Sequence, residues 1–325
     1  MNRQRLPLAD VFGLRPVKKA LSDAALTFRG DPNLPASRFG ASSLAIFTPR
    51  LAVTTWLGRA AAGRSVVVAN LFNRTPTPVA DGWSVRVTQV RDYRGGRLTY
   101  DSHNGTDFVV PTGTATVAAA AARVVSIRRE FNRGGLKVYL DHGGGLMTTH
   151  NHLARALVRV GDRVRRGQPV ALTGYSGLDG VAAFPWVAPH VHYNVILGGR
   201  NVDPYAASGE VSLWRVANDP RPAPPCAPDD AFTPTRHDPD RVAALLADLL
   251  DDARRARFAA IADVDLRAAE LTVEATVYPT RFATPEAASM LFEAPPERAP
   301  CLDLPFSIVD FDDTAFADDL GFRRS

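Results

Sequence analysis

Cysteine is nearly absent from this 325-residue chain, which has only Cys226 and Cys301. Two thiols exclude a disulfide scaffold and any thiolate-rich metal site, and these two could pair only in an oxidising compartment. Lysine is as scarce: 3 residues against 35 arginines. That imbalance reads as compositional bias rather than a nucleic-acid surface. No recognition-helix, RNA-motif or zinc-finger pattern accompanies it, so no nucleic acid partner is expected. Long apolar runs are missing too. Ser42–Gly63 is the most membrane-like stretch, but Pro49, Arg50 and Arg59 interrupt it well short of the ~20 apolar residues of a span. It reads as a buried or interfacial segment, and no transmembrane helix is expected. Residues 1–23 break every apolar run with charge, so no signal-peptide core is expected either.

What is present is 46% hydrophobic residues with 25 prolines and 24 glycines, a composition for packed cores with many turns rather than for disorder. Charge is uneven. Residues 216–325 hold 11 Arg or Lys and 21 Asp or Glu, and residues 1–215 hold 27 and 13. A basic block before an acidic one points to anionic partners for the first or to intramolecular contact between the two. From 84 to about 207 the pattern is short strands punctuated by Gly or Asp: WSVRVTQV, LKVYLDH, ALVRVGDRV and PVALTG. Such spacing argues for antiparallel sheets. Ser65–Leu71 is a Val-rich strand candidate, and Arg74–Gly82 reads as a connector. Past the Pro-rich stretch 219–230, Asp238-Pro239 reads as a helix start. Leu271, Val273, Ala275 and Val277 alternate with polar residues and read as a strand, and Thr284-Pro285-Glu286 as the opening of a short helix.

Six of the seven histidines lie between residues 103 and 192. In SHNGTDFVVP, His103 and Asp107 flank Gly105, whose bend brings an imidazole and a carboxylate together. In APHVHYNVIL, alternation puts His190, His192 and Asn194 on one strand face and Val191, Tyr193 and Val195 on the core face. In HGGGLMTTHNHL, His150 and His152 share a face by the same rule, while His142, at a strand end, reads as structural. A hydrolytic zinc site needs three protein ligands and an open position for water. His103, Asp107 and one of the two strand histidines supply that set, and alternation cannot choose between His190 and His192. No Glu lies near the motifs, so proton transfer would fall to the remaining histidines.

These four collinear segments, the fourth being VRVGDRVRRGQPVALTGYSG, resemble the lysostaphin/LytM-type zinc peptidases that cut peptide bonds in peptidoglycan. The resemblance runs from about Gly82 to Pro204. It implies one Zn²⁺ held by His103, Asp107 and His192, with His190 and His152 as catalytic groups and peptidoglycan stem or cross-bridge peptides as partners. It also points towards the cell envelope or periplasm. The fold implied is a mainly β catalytic domain with a small α+β C-terminal appendage. The expected boundaries are an N-terminal region of unassigned role (1–83), the peptidase domain (84–215), a Pro-rich linker (216–229) and an acidic module (230–325). Several positions depart from the family pattern. Arg123 stands for a turn glycine. His150 replaces a Tyr and could be a spare groove imidazole. Asn194 replaces a Glu beside the metal. A long loop carries Phe184 and Trp186, either lining a cleft or closing the core. An inactive relative acting as a binding module, and a zinc amide hydrolase with another substrate, are the alternatives. A biotinyl-type carrier hairpin is discounted, because Lys137 is not on a tight turn.

Overall fold

The computed structural model describes residues 3–31, 33, 35–77, 82–225, 227–228 and 231–323. Cys226, and with it any pairing to Cys301, and part of the 74–82 connector lie outside them. One mixed sheet of eleven strands organises the molecule. In chain order these are β1 (Ser65–Asn70), β2 (Thr106–Val109), β3 (Ala115–Val117), β4 (Ala122–Glu130), β5 (Gly135–Gly143), β6 (Leu146–Ala156), β7 (Arg163–Val164), β8 (Pro169–Thr173), β9 (His190–Leu197), β10 (Arg200–Val202) and β11 (Asp313–Phe316). The main path runs β11-β1-β2-β9-β6-β5-β4-β7, with β10 on β9 and β3 on β8. Every pair is antiparallel except β1 with β11. The sheet therefore recruits a strand from each end of the chain.

Alternation separates a core face from a chemical face. Val68, Phe108 and Val191 are consecutive cross-strand partners, and all are fully buried in the main apolar cluster with Tyr193, Trp214 and Phe306. Burying a side chain of this size contributes about 1.5–3 kcal/mol. One residue along β2 and β9, and two along β1 across an irregularity after Val68, Asn70, Asp107 and His192 form the neighbouring row, facing the other way. The period of two on β2 and β9, with the extra residue in β1, thus delivers three polar side chains to one line.

β6 is the strand that changes partner. Leu146–His150 pairs with β9, whereas Leu153–Ala156 pairs with β8. At the change the register against β5 slips by one residue, and His152 takes a positive φ of 59°. A bulge of this kind bends a strand and re-aims a side chain.

The helices are α1 (Leu8–Val11), α2 (Val17–Arg29), α3 (Pro49–Trp56), α4 (Leu178–Ala183), α5 (Pro239–Asp248), α6 (Asp252–Ala259) and α7 (Val264–Val277). Asp238 caps α5 by accepting from Asp240 N, with Pro239 at the first position, as the sequence suggests. The strand expected over Leu271–Val277 is instead the last half of α7. Its alternation arises because both sides of the helix are buried. Ala268, Leu271 and Ala275 pack on α5 and its neighbours, while Ala269 and Val273 pack on Val125, Tyr139, Met147 and Ile196 of the sheet. A helix buried on two sides loses the one-sided 3.6-residue signal. Its Glu274 is fully buried between Arg128 and Arg281, at 2.7 Å from each. A second expectation also changes. Trp83–Val90 is no regular strand, since Ser84 makes only an isolated bridge to Arg38.

Candidate metal centre and cleft

His103, Asp107 and His192 converge. His103 Nε2 lies 3.0 Å from Asp107 Oδ1 and 3.1 Å from His192 Nδ1, and the latter two atoms are 2.8 Å apart. All three residues are buried. The remaining atoms of each side chain are committed elsewhere. His103 Nδ1 donates to Leu71 O at 2.6 Å, which leaves Nε2 as a lone pair. His192 Nε2 donates to Asn104 Oδ1 at 3.2 Å, leaving its Nδ1 bare. Asn70 Nδ2 donates to Asp107 Oδ2 at 2.7 Å, and Arg323 bonds the Asn70 oxygen, fixing that amide. Three lone pairs therefore point at one another. A triangle with ~3 Å edges has a point about 2 Å from each corner, the bond length of zinc to imidazole nitrogen or carboxylate oxygen. The donor set fits one divalent cation. Burial works against the Asp107 charge, but the facing His103 and His190 outweigh it and hold the carboxyl well below its usual range. Burial, opposed by the bond to Asp107, lowers His192.

An amide chain supports this arrangement from β6. Asn151 Nδ2 donates to Asn194 Oδ1 at 2.8 Å and to His192 O at 2.7 Å, and Asn194 Nδ2 donates to Asn104 Oδ1 at 2.9 Å. Asn194 thus connects through Asn104 to His192, one residue removed from the donor triangle. Each amide's orientation follows from the next, ending at the His192 tautomer.

Two further imidazoles face the same space. His190 Nδ1 donates to Ala188 O and His152 Nδ1 to Ser176 O, both at 2.9 Å. Each keeps Nε2 as its available nitrogen. His190 Nε2 is 3.6 Å from Asp107 Oδ1, and the two rings are 5.0 Å apart. Burial, reinforced by His190, pushes His152 down to about 3, so it is neutral at ordinary pH. A cleft of about 490 Å³ opens over these groups. One wall comes from the sheet. The other is an apolar wall from the N-terminal region, including Phe28, Phe39, Leu44 and Phe47.

Not every expected residue reaches the cleft. His150 is fully buried on the opposite face, bonded through Nδ1 to Thr116 Oγ1. The bulge after it reverses the phase of β6, so His152 is presented while His150 is not. Phe184 turns away to pack on Phe12 and Trp56, with ring centroids 5.5 and 5.1 Å away. Trp186 is half exposed outside the lining; Leu178, Asp179, Ala182, Ala183 and Val187 of that loop line the cleft instead. His142 is held between Ala121 O and Thr148 Oγ1, as a structural histidine should be. Asn70, Asn104, Asn151 and Arg323 escape sequence reading. Only Asn104, between His103 and Gly105, carries a local signal.

Residues 101–204 match Peptidase family M23, so the chain carries an M23 peptidase domain. Over 106 residues it is 38% identical to peptidoglycan DD-endopeptidase ShyA of Vibrio cholerae, covering 33% of this chain and 23% of that protein. Over 93 residues it is 38% identical to murein hydrolase activator EnvC of Escherichia coli, covering 28% and 20%. The chain spans about a quarter or less of the curated relatives it matches. Among solved structures, it is similar to a zinc containing peptidase from Vibrio cholerae (27% identity, TM-score 0.32, covering 43% of this chain and 38% of that one). It is also similar to the catalytic domain of lysostaphin from Staphylococcus simulans (28% identity, TM-score 0.26, covering 30% and 68%).

Proposed function

We propose that the chain is a zinc-dependent endopeptidase that hydrolyses peptide bonds of peptidoglycan. The observation that carries this reading is the convergence of three donor atoms within 3.1 Å, with two more imidazoles presenting Nε2 to the same cleft. When bound, zinc supplies a Lewis acid and lowers the pKa of a water to about 7. His103, Asp107 and His192 hold the ion. His190, nearer the donor triangle, takes the proton of the attacking water on Nε2 and passes it to the leaving amine. His152, neutral and with its Nδ1–H on Ser176 O, offers a second Nε2 lone pair, which accepts a hydrogen bond from the attacking water and orients it. Their Nδ1–H bonds to Ala188 and Ser176 fix both rings in the tautomer these roles require. The cleft walls orient the peptide and exclude bulk water. The naming of ShyA as a peptidoglycan DD-endopeptidase supports the substrate class, which would place the site of action in the cell envelope.

EnvC, named as an activator, keeps a second reading in play: a domain that binds rather than cuts. Digesting purified peptidoglycan with the zinc-loaded chain, and weighing the fragments, decides between them. The expected products are muropeptides opened at peptide bonds, with activity lost to chelator and restored by zinc. One zinc per chain with no cut in peptidoglycan, but with hydrolysis of other amides, would favour a different substrate. No bound zinc would favour the binding module and refute the proposal.

A further inference from the structure

The cleft holds an arginine that has no ion-pair partner among the described residues. Arg133 lies in the β4–β5 turn and lines the cleft. The next residue, Gly134, accepts from His152 N at 2.8 Å through its carbonyl, so Arg133 sits beside a catalytic imidazole. Its guanidinium lies over the Trp83 ring, 5.3 Å from the centroid, and makes one long contact of 3.5 Å to Ser37 Oγ. Its Nε is buried with no partner. Among the described residues no carboxylate lies within ion-pair distance of it. The other cation lining the cleft is treated differently, since Lys137 is paired with Glu130 at 2.5 Å. Of the cleft's acids, Asp107 belongs to the donor triangle, whereas Asp179, 3.8 Å from the neutral His152 ring, acts on Arg133 through space without forming an ion pair with it. Burial lowers the Arg133 pKa, partly offset by Tyr278 and Asp179, yet guanidinium stays charged at any physiological pH.

A largely desolvated charge without a counter-charge is costly to keep. A planar fork of donors on an aromatic platform is suited to a planar anion that accepts two parallel bonds. We propose that Arg133 is a substrate-binding residue that recognises a free carboxylate on the peptide, within one or two residues of the bond cut and on the His152 side of the metal centre. This names a feature of the substrate and rests on the peptidase reading for its context. Its test does not require turnover.

Two short fluorescent cross-linked peptides, identical except for a free carboxylate or its carboxamide at that position, serve as probes. Their binding to the full chain is measured by anisotropy in chelator, where no cutting occurs, and their hydrolysis is measured with zinc. The carboxylate peptide should bind roughly 10- to 100-fold tighter, the range for hydrogen bonds to a charged group. In Arg133→Gln that ratio should fall to about one, and Arg133→Lys, which keeps the charge but not the fork, should restore part of it. Equal binding of both peptides to the unaltered chain would overturn the inference even if both were cut. So would an Arg133→Gln variant, folded by its urea midpoint, that weakens both peptides equally, because Arg133 would then only clamp Trp83. Carboxylate-selective binding without hydrolysis of either peptide would sustain the inference and defeat the peptidase reading.

Discussion

His150 offers a quantitative check on the bulge that aims His152 into the cleft. Thr116 Oγ1 donates to Pro305 O at 3.1 Å, so it accepts from His150 Nδ1–H and cannot also donate to it. The other ring nitrogen, Nε2, is buried without a partner. A proton placed there would meet no acceptor, and burial, with a smaller push from His142, takes the pKa from 6.5 to about 3. The unfolded chain binds this proton below about 6.5, but the folded chain does so only near 3. Stability is therefore unaffected above the unfolded value and is lost as pH falls through that window, by about 1.4 kcal/mol per pH unit. At pH 4.5 the cost from this one residue is about 2.7 kcal/mol. His150→Asn keeps a donor for Thr116 and removes the titration. Urea unfolding in chelator at pH 7.5 and 4.5 should show the variant gaining about 2.7 kcal/mol on the parent chain between the two. His152, equally depressed, is present in both proteins and cancels. A difference independent of pH would mean that His150 titrates normally. It would then be solvated in the groove, and the phase reversal of β6 would be wrong.

Asn70→Ala removes the donor to Asp107 without touching a ligand, and zinc affinity by competition with a chromophoric chelator should fall 10- to 100-fold, the usual cost of losing such support. His190→Ala should retain one zinc by elemental analysis while turnover falls roughly 10²- to 10⁴-fold. His103→Ala should lose both metal and turnover, and retained activity in either variant would contradict the role proposed for that residue.

What was legible in the sequence was whatever obeys a local period. Alternation over APHVHYNV correctly divides His190, His192 and Asn194 from Val191, Tyr193 and Val195, because β9 is regular and central. The same rule fails on HNH in β6, because the strand changes partners between His150 and Leu153 and inserts one residue. That event is decided by β8 and β9, which lie well downstream, and leaves no mark in HGGGLMTTHNHL itself. α7 fails for a related reason, since a two-sided environment erases the pattern by which helices are recognised. The three converging donors, His103, Asp107 and His192, could be read as motif positions. Their supports could not, because Leu71, Asn70 and Arg323 come from segments far from the motifs and act through a backbone carbonyl, an amide and a guanidinium with no characteristic spacing.

Those supports bear on where the catalytic unit ends. A boundary at 84–215, drawn where composition changes, would remove β1 and β11, and with them the Leu71 carbonyl, Asn70 and Arg323. β1 lies between β11 and β2, and its Val66, Val67 and Val68 are all but fully buried. Cutting there leaves β2, the strand that carries Asp107, as an unpaired edge with its apolar face open, a site for aggregation rather than catalysis. It also frees the ring of His103 to take the other tautomer, which would put a proton where a ligand lone pair is required. A fragment of residues 84–215 should therefore show no cooperative urea transition and no zinc binding, whereas residues 3–323 should show both. A fragment that unfolds cooperatively and binds zinc as tightly as the whole chain would show that the terminal strands are accessories, and that the three donors need nothing beyond β2 and β9 to hold their places.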